Sequence, residues 1–329
     1  MQKIAPQYDL NQLFPVLEIN DECIISKSGD ITIAYELQLP PRHSLEVERY
    51  NDLRNLFSQA YQTLPIGSII LKQDIYFKRK YNHTGENETF LLKKFSEHFN
   101  GREYLDYKSI LYFCMPTKGR QNVKCKESIL SSRHILFGKT SPEKIVSFRQ
   151  SVEQAIAIIC SDSSLIGASR LNAQECNTLI SHIMNFSFDE ETIVNDMQAK
   201  SGTYLVGNRK IFNLALSSLD DMPDSYEENV KDYDLSTDNT SLYGSVLSQI
   251  GYTIPVNHIV NQYIKITDSR KAESKMATNA QFMLSFSSIS AENTANHENI
   301  ISYLKDSPGQ QNRTIKYSVQ VLVEGEDDI

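Results

Sequence analysis

One triplet invites nucleotide chemistry: Gly138-Lys139-Thr140, inside the run HILFGKTSPEK. A phosphate-binding loop of the form G-x-x-x-x-G-K-[ST] needs its first glycine so that successive backbone N–H groups can converge on the anion. Arg133 stands at that position, followed by the bulky His134, Ile135, Leu136 and Phe137. The nest cannot close around a phosphate with these side chains in place. Ser141, Pro142 and Glu143 instead read as a helix start: a cap, a first-turn proline and an acid at the positive end of the dipole. The sequence therefore points to no ATP site and no cofactor in this chain.

Other chemistries lack their patterns as well. Histidines 43, 83, 98, 134, 182, 258 and 297 form no H-x-x-x-H pair. The five cysteines are an odd number without C-x-x-C, against both a disulfide framework and a zinc knuckle. There is no G-x-S-x-G elbow and no G-x-G-x-x-G fingerprint. The acidic runs Asp189-Glu190-Glu191 and Glu324 to Asp328 lack the spaced ligands of a calcium loop and read as solvated. No catalytic residue and no metal ligand is assigned.

Two polar groupings remain. His98, Arg102 and Tyr104 are the nearest thing to a dispersed enzyme site. Arg102 and Tyr104 fit better as partner-docking residues, large amphipathic side chains just before a core strand, where a loop presents them outward. Lys72, Lys78, Arg79 and Lys80, with Tyr76 and Tyr81 as stacking rings, form a pattern for single-stranded DNA. A formal charge of −8 opposes that use, and so does the alternation that sends part of this strand to the core.

The elements that hold these residues follow from hydrophobic period. ITIAYELQL, residues 31–39, alternates as a half-buried strand ended by Pro40-Pro41, and Leu53, Leu56, Phe57, Ala60, Tyr61 and Leu64 make a helical seam. A strand over 68–80, a short helix over 89–99 and a strand over 107–115 complete a β-α-β-α-β lobe, residues 1–117. A polar, basic connection (118–140) and a helical segment (141–190) follow, with helices over 141–168 and 173–185. Residues 191–329 read as a second lobe. It has a hairpin turning at Gly207-Asn208, a strand over 258–266, a helix capped by Asp268 or Ser269, and a last strand over 315–323. The expected class is α+β: two lobes, each a mixed or antiparallel sheet with helices on one face. No apolar run approaches the ~20 residues of a membrane span, and the opening residues do not form a secretory signal, so the chain reads as cytoplasmic.

The run KKFSEHFNGREYLDYKSILYFCMPT, the opening DLNQLFPVLEINDECIISKSGDITIAYELQLP and the helix with ERYNDLRNLFSQAYQTLP resemble the amino-terminal domain of TraG-type conjugation proteins of Bacteroidetes conjugative transposons. These are similar to the wider family of cytoplasmic ATPases that energise type IV secretion. The resemblance implies a non-catalytic amino-terminal region, followed in the intact protein by a motor domain with the P-loop. It also implies docking onto inner-membrane channel subunits, packing against other copies of the ATPase, and a place on the cytoplasmic side of the inner membrane. No ATPase residue carries over, because this chain lacks the motor's motifs.

Overall fold

A computed structural model of the chain describes residues 14–41, 44–82, 89–116, 142–188, 194–200, 203–216, 246–286, 290–306 and 314–325, with short stretches between 230 and 244. The first strands are β1 (Val16–Ile19), β2 (Ile24–Ser26) and β3 (Ile31–Gln38), joined antiparallel in order. The β2–β3 turn is held by Asp30, buried and accepting from the Ser26 and Ser28 hydroxyls, with Gly29 at φ 83°. Alternation on β3 buries Ile31, Ile33, Tyr35 and Leu37 on one face.

Helix α1 (Val47–Thr63) follows, then β4 (Ile69–Lys80), α2 (Phe90–Phe99) and β5 (Glu103–Met115). The seam expected on α1 is observed, with Ala60 and Leu64 buried and Leu53, Leu56, Phe57 and Tyr61 packed around them. Helix α3 (Pro142–Ile159) lies beside α1 on the same face, driving Phe148, Val152, Ala155 and Ile159 into the core. It ends earlier than its periodicity suggests. Asp162 accepts from the Ser164 backbone N–H at 3.0 Å, turning the chain into β6 (Gly167–Arg170), which pairs with the part of β3 that β2 leaves open.

Helix α4 (Ala173–Asn185) begins with a reciprocal capping box between Asn172 and Glu175 and ends at Phe186, which takes a left-handed conformation. It covers the other face of the sheet. There Cys176, Leu179, Ile180 and Ile183 pack with Ile75, Phe77, Ile110 and Ile259. Helices therefore lie on both faces, because the central strands are apolar on both: β5 buries Leu111 and Phe113 on one side and Ile110 on the other.

The remaining strands are β7 (Met197–Lys200), β8 (Thr203–Val206), β9 (Arg209–Ala215), the small pair β10 (Val230–Lys231) and β11 (Tyr243–Gly244), β12 (His258–Ile266) and β13 (Ile315–Gly325). Helices α5 (Val246–Thr253), α6 (Ser269–Ser285) and α7 (Ala291–Asp306) lie among them. The hairpin turn at Gly207-Asn208 is observed, with Gly207 at φ 56°. Asp268 caps α6, accepting from Lys271 N–H at 3.4 Å. The inward line of α6 centres on Ala280, and Asn279 and Phe286 stay exposed.

The class is α+β, and the described pairings are antiparallel. The two lobes meet as halves of one eleven-stranded sheet, in the order β1-β2-β3-β5-β4-β12-β13-β9-β8-β7 with β6 on β3. The seam is β4 on β12, eight paired positions from Tyr76 opposite His258 to Ile69 opposite Lys265. Neither strand ends a sheet, because each has an apolar face and an unsatisfied backbone edge that the other covers.

Candidate functional site

At one end of the sheet β4 and β5 run on together as a two-stranded ribbon through Phe77–Asp106, Lys78–Leu105, Arg79–Tyr104 and Lys80–Glu103. The ribbon is closed by Tyr81 N–H to Arg102 C=O at 2.9 Å and Gly101 N–H to Tyr81 C=O at 2.8 Å. Gly101 has φ 77°, a conformation a side chain would resist. Helix α2 sits in this connection. Ser96 is buried, with its hydroxyl 3.2 Å from that of Tyr81, and Arg102 lies over the Phe99 ring at 5.4 Å. Phe95 leans on Phe99 with ring centroids 4.5 Å apart.

One side of α2 is thus fixed to the ribbon. The rest is bare: Phe90 is 73% exposed, Leu91 77%, Leu92 54% and Phe95 55%. Four large apolar side chains on ten residues cost hydration free energy that a free surface does not recover, and such a patch marks a contact site. The sequence reading found the helix and missed this. Three consecutive apolar residues, Phe90-Leu91-Leu92, carried the signal, since at about 100° per residue they cannot share one face.

Arg102 and Tyr104 stand on the same ribbon. Arg102 is exposed immediately before β5, with its cation engaged on Phe99. Tyr104 is in the strand itself, opposite Arg79 and 45% exposed, where the sequence suggested a loop. His98 is exposed and edge-on to Phe99 at 4.9 Å. The DNA-stacking arrangement is not assembled: Tyr76 is 4% exposed and stacked on His258, Lys72 is bound to Asp74, and Arg79 pairs with Asp106 at 3.1 Å.

Asp74 is a buried carboxylate with several hydrogen-bond partners. It accepts from Lys72 at 2.6 Å, Ser109 at 2.7 Å, Tyr107 at 3.0 Å and Gln262 at 3.4 Å. Burial, then the charge of Asp74, pushes the Tyr107 phenol well above its ordinary range. On the opposite face the neighbouring Gln73 donates to Asn261 at 2.9 Å and accepts from Tyr112 at 3.1 Å. Gln320 continues this row, donating to Asn213 at 2.9 Å. These groups spend their hydrogen bonds on each other. Their effect is to fix the register of β4 against β12, since a slip of one residue would send every member to the wrong face.

Next to Asp74, an aromatic cluster lies under α5. Tyr76 stacks on His258 with centroids 4.6 Å apart, and meets Tyr107 at 5.0 Å and Tyr252 at 5.5 Å. His258 is fully buried, its Nδ1 2.7 Å from Val256 C=O and its Nε2 without a hydrogen bond. Burial lowers its pKa, more than the Val256 and Gly251 carbonyls raise it.

A cleft of about 480 Å³ runs between α4 and the sheet, lined by Glu36, Ile75, Phe77 and Lys108 from the strands and by Leu179 and His182 from the helix. None of His98, Arg102 and Tyr104 lines it. Among the described residues no three His, Cys, Asp or Glu side chains are grouped as metal ligands. Glu324 lies in β13, bound to Arg209 at 3.0 Å and Asn257 at 2.6 Å. The triplet 138–140 and the acids 189–191 lie outside the described residues.

Fold and surface together define an α+β sheet domain with an exposed apolar face on α2. The family described as "Domain of unknown function, B. Theta Gene description (DUF3875)" matches residues 3–54, a stretch that includes β1 to β3 and the start of α1. No curated protein matches the chain.

Proposed function

We propose that this chain is the non-catalytic docking portion of a conjugative-transfer ATPase of a type IV secretion system, seating the motor on inner-membrane channel subunits. The resemblance of residues 93–117 to TraG-type proteins supplies the system. The observation that carries docking is the exposed apolar face of α2 on the same ribbon as Arg102 and Tyr104. A rigid support, bare apolar anchors and flanking amphipathic side chains are the ingredients of an interface whose energy comes from a few residues. The chain works at the cytoplasmic side of the membrane, and among the described residues no helix is long and apolar enough to cross it. Other copies of the ATPase are further partners.

Arg102→Ala with Tyr104→Ala in the full-length protein tests this. DNA transfer and co-purification with inner-membrane subunits should fall, while thermal melting of this chain stays unchanged. Wild-type transfer and wild-type recovery with membranes would rule the patch out as the docking site.

A further inference from the structure

The bare face of α2 has a shape that identifies what covers it. A helix gripped by a protein groove offers a narrow stripe at i, i+3 or i+4, and i+7. Here Phe90, Leu91 and Leu92 fan through about 200° of the circumference, and Phe95, Lys94 and His98 fall within the same span. Such a span suits a fluid medium that surrounds the exposed face.

Charge agrees. Residues 78–106 contain Lys78, Arg79, Lys80, Lys93, Lys94 and Arg102, six cations against five Asp and Glu, a local net of +1 in a chain that as a whole is at −8. Lys94 is bound to Glu97 at 2.7 Å and Arg79 to Asp106, while Lys93 extends exposed from the helix. Exposed apolar side chains interleaved with and flanked by lysine and arginine are the pattern of helices that lie at an anionic membrane surface.

We propose that α2 is a membrane-interface anchor, with Phe90, Leu91, Leu92 and Phe95 entering the headgroup and acyl boundary of an anionic bilayer. This deepens the docking reading by giving α2 a lipid surface to occupy, and it can fail without that reading failing.

The chain contains no tryptophan, so Leu91→Trp makes a single fluorescent reporter on α2. Ile66→Trp makes a control, because Ile66 is 63% exposed just before β4, at the end of that strand remote from α2. Vesicles of phosphatidylcholine with about one-quarter phosphatidylglycerol should shift Leu91→Trp emission to the blue, less so at high salt, and leave Ile66→Trp unmoved. In co-sedimentation with those vesicles, Phe90→Asp with Phe95→Asp should weaken partitioning at least about tenfold. Both are exposed positions, and far-UV circular dichroism confirms that the variant is folded. Unshifted Leu91→Trp emission at saturating lipid, or wild-type sedimentation of the double variant, would overturn the proposal. So would a shift produced only by membranes containing the secretion subunits and absent with pure lipid, which would assign this face to protein. Loss of transfer in the Arg102→Ala, Tyr104→Ala variant with vesicle binding intact would separate the protein contact from the lipid one.

Discussion

Gly251 sits inside α5, where a glycine is the second-worst residue for helix stability, and replacing it by alanine should on propensity alone stabilise the helix by about 1 kcal/mol. The structure reverses the sign. A Cβ built on Gly251 would collide with the hydroxyl and ring of Tyr76, whose Cε2 would lie 2.7 Å away. Tyr76 cannot swing aside: His258 stacks on it at 4.6 Å, Tyr107 and Tyr252 hold its other sides, and it is 4% exposed. Relief must come from lifting α5 off the sheet. Forcing one extra carbon into a packed site costs about 1–3 kcal/mol, which exceeds the propensity gain at all but its lower limit, so a net loss of about 1 kcal/mol is expected for Gly251→Ala. Urea unfolding monitored by far-UV circular dichroism resolves this difference. Tyr76→Leu, which removes the obstructing ring end, should abolish the penalty, so the double variant should be more stable than the sum of the single changes predicts. If Gly251→Ala proves as stable as wild type or more so, the tight approach of α5 to Tyr76 is wrong.

Asp74→Ala should destabilise by about 3–5 kcal/mol, because it strands the Lys72 ammonium and the buried Ser109 hydroxyl. A loss below about 1 kcal/mol in urea titration would show that the network is not closed as described. His258 titrates near 6.5 when unfolded and lower when folded. The unfolded state therefore binds more protons in that interval, and stability, complete above about pH 6.5, must fall as pH drops below it. His258→Phe keeps the ring stack, so the stability advantage of wild type over this variant should shrink from pH 7.5 to pH 5, and a constant difference would refute the assignment. Calorimetric titration of the chain with ATP should be silent, since Arg133 replaces the loop's first glycine. Saturable binding lost in Lys139→Ala would contradict this.

Much of this fold could be read from local pattern. Strand β12 and helix α4 fall where hydrophobic period puts them, and helix α6 starts at the Asp268 cap that the sequence offers. What stayed hidden depends on distant partners. Gln73 and Asn261 are 188 residues apart, and nothing near either announces the other, so one sheet reads as two. Residues 167–170 become a strand only because β3 has an open edge to accept them. At the candidate site, sequence supplied Arg102, Tyr104 and the helix before them. The exposure of Phe90 and Leu91 was missed although it was legible, since three consecutive apolar residues cannot all share the buried face of a helix.

The β4–β12 seam also sets a timetable for making the protein. At about 5–20 residues per second, the ribosome finishes β4 some ten seconds or more before it delivers the partner strand. Throughout that wait β4 offers an open backbone edge in a nascent chain, the condition that recruits stray strands. Its middle, Lys72-Gln73-Asp74, is charged and amide-bearing where an aggregating strand would be apolar. The polar belt that later locks the register therefore guards the edge while the chain is still being synthesised.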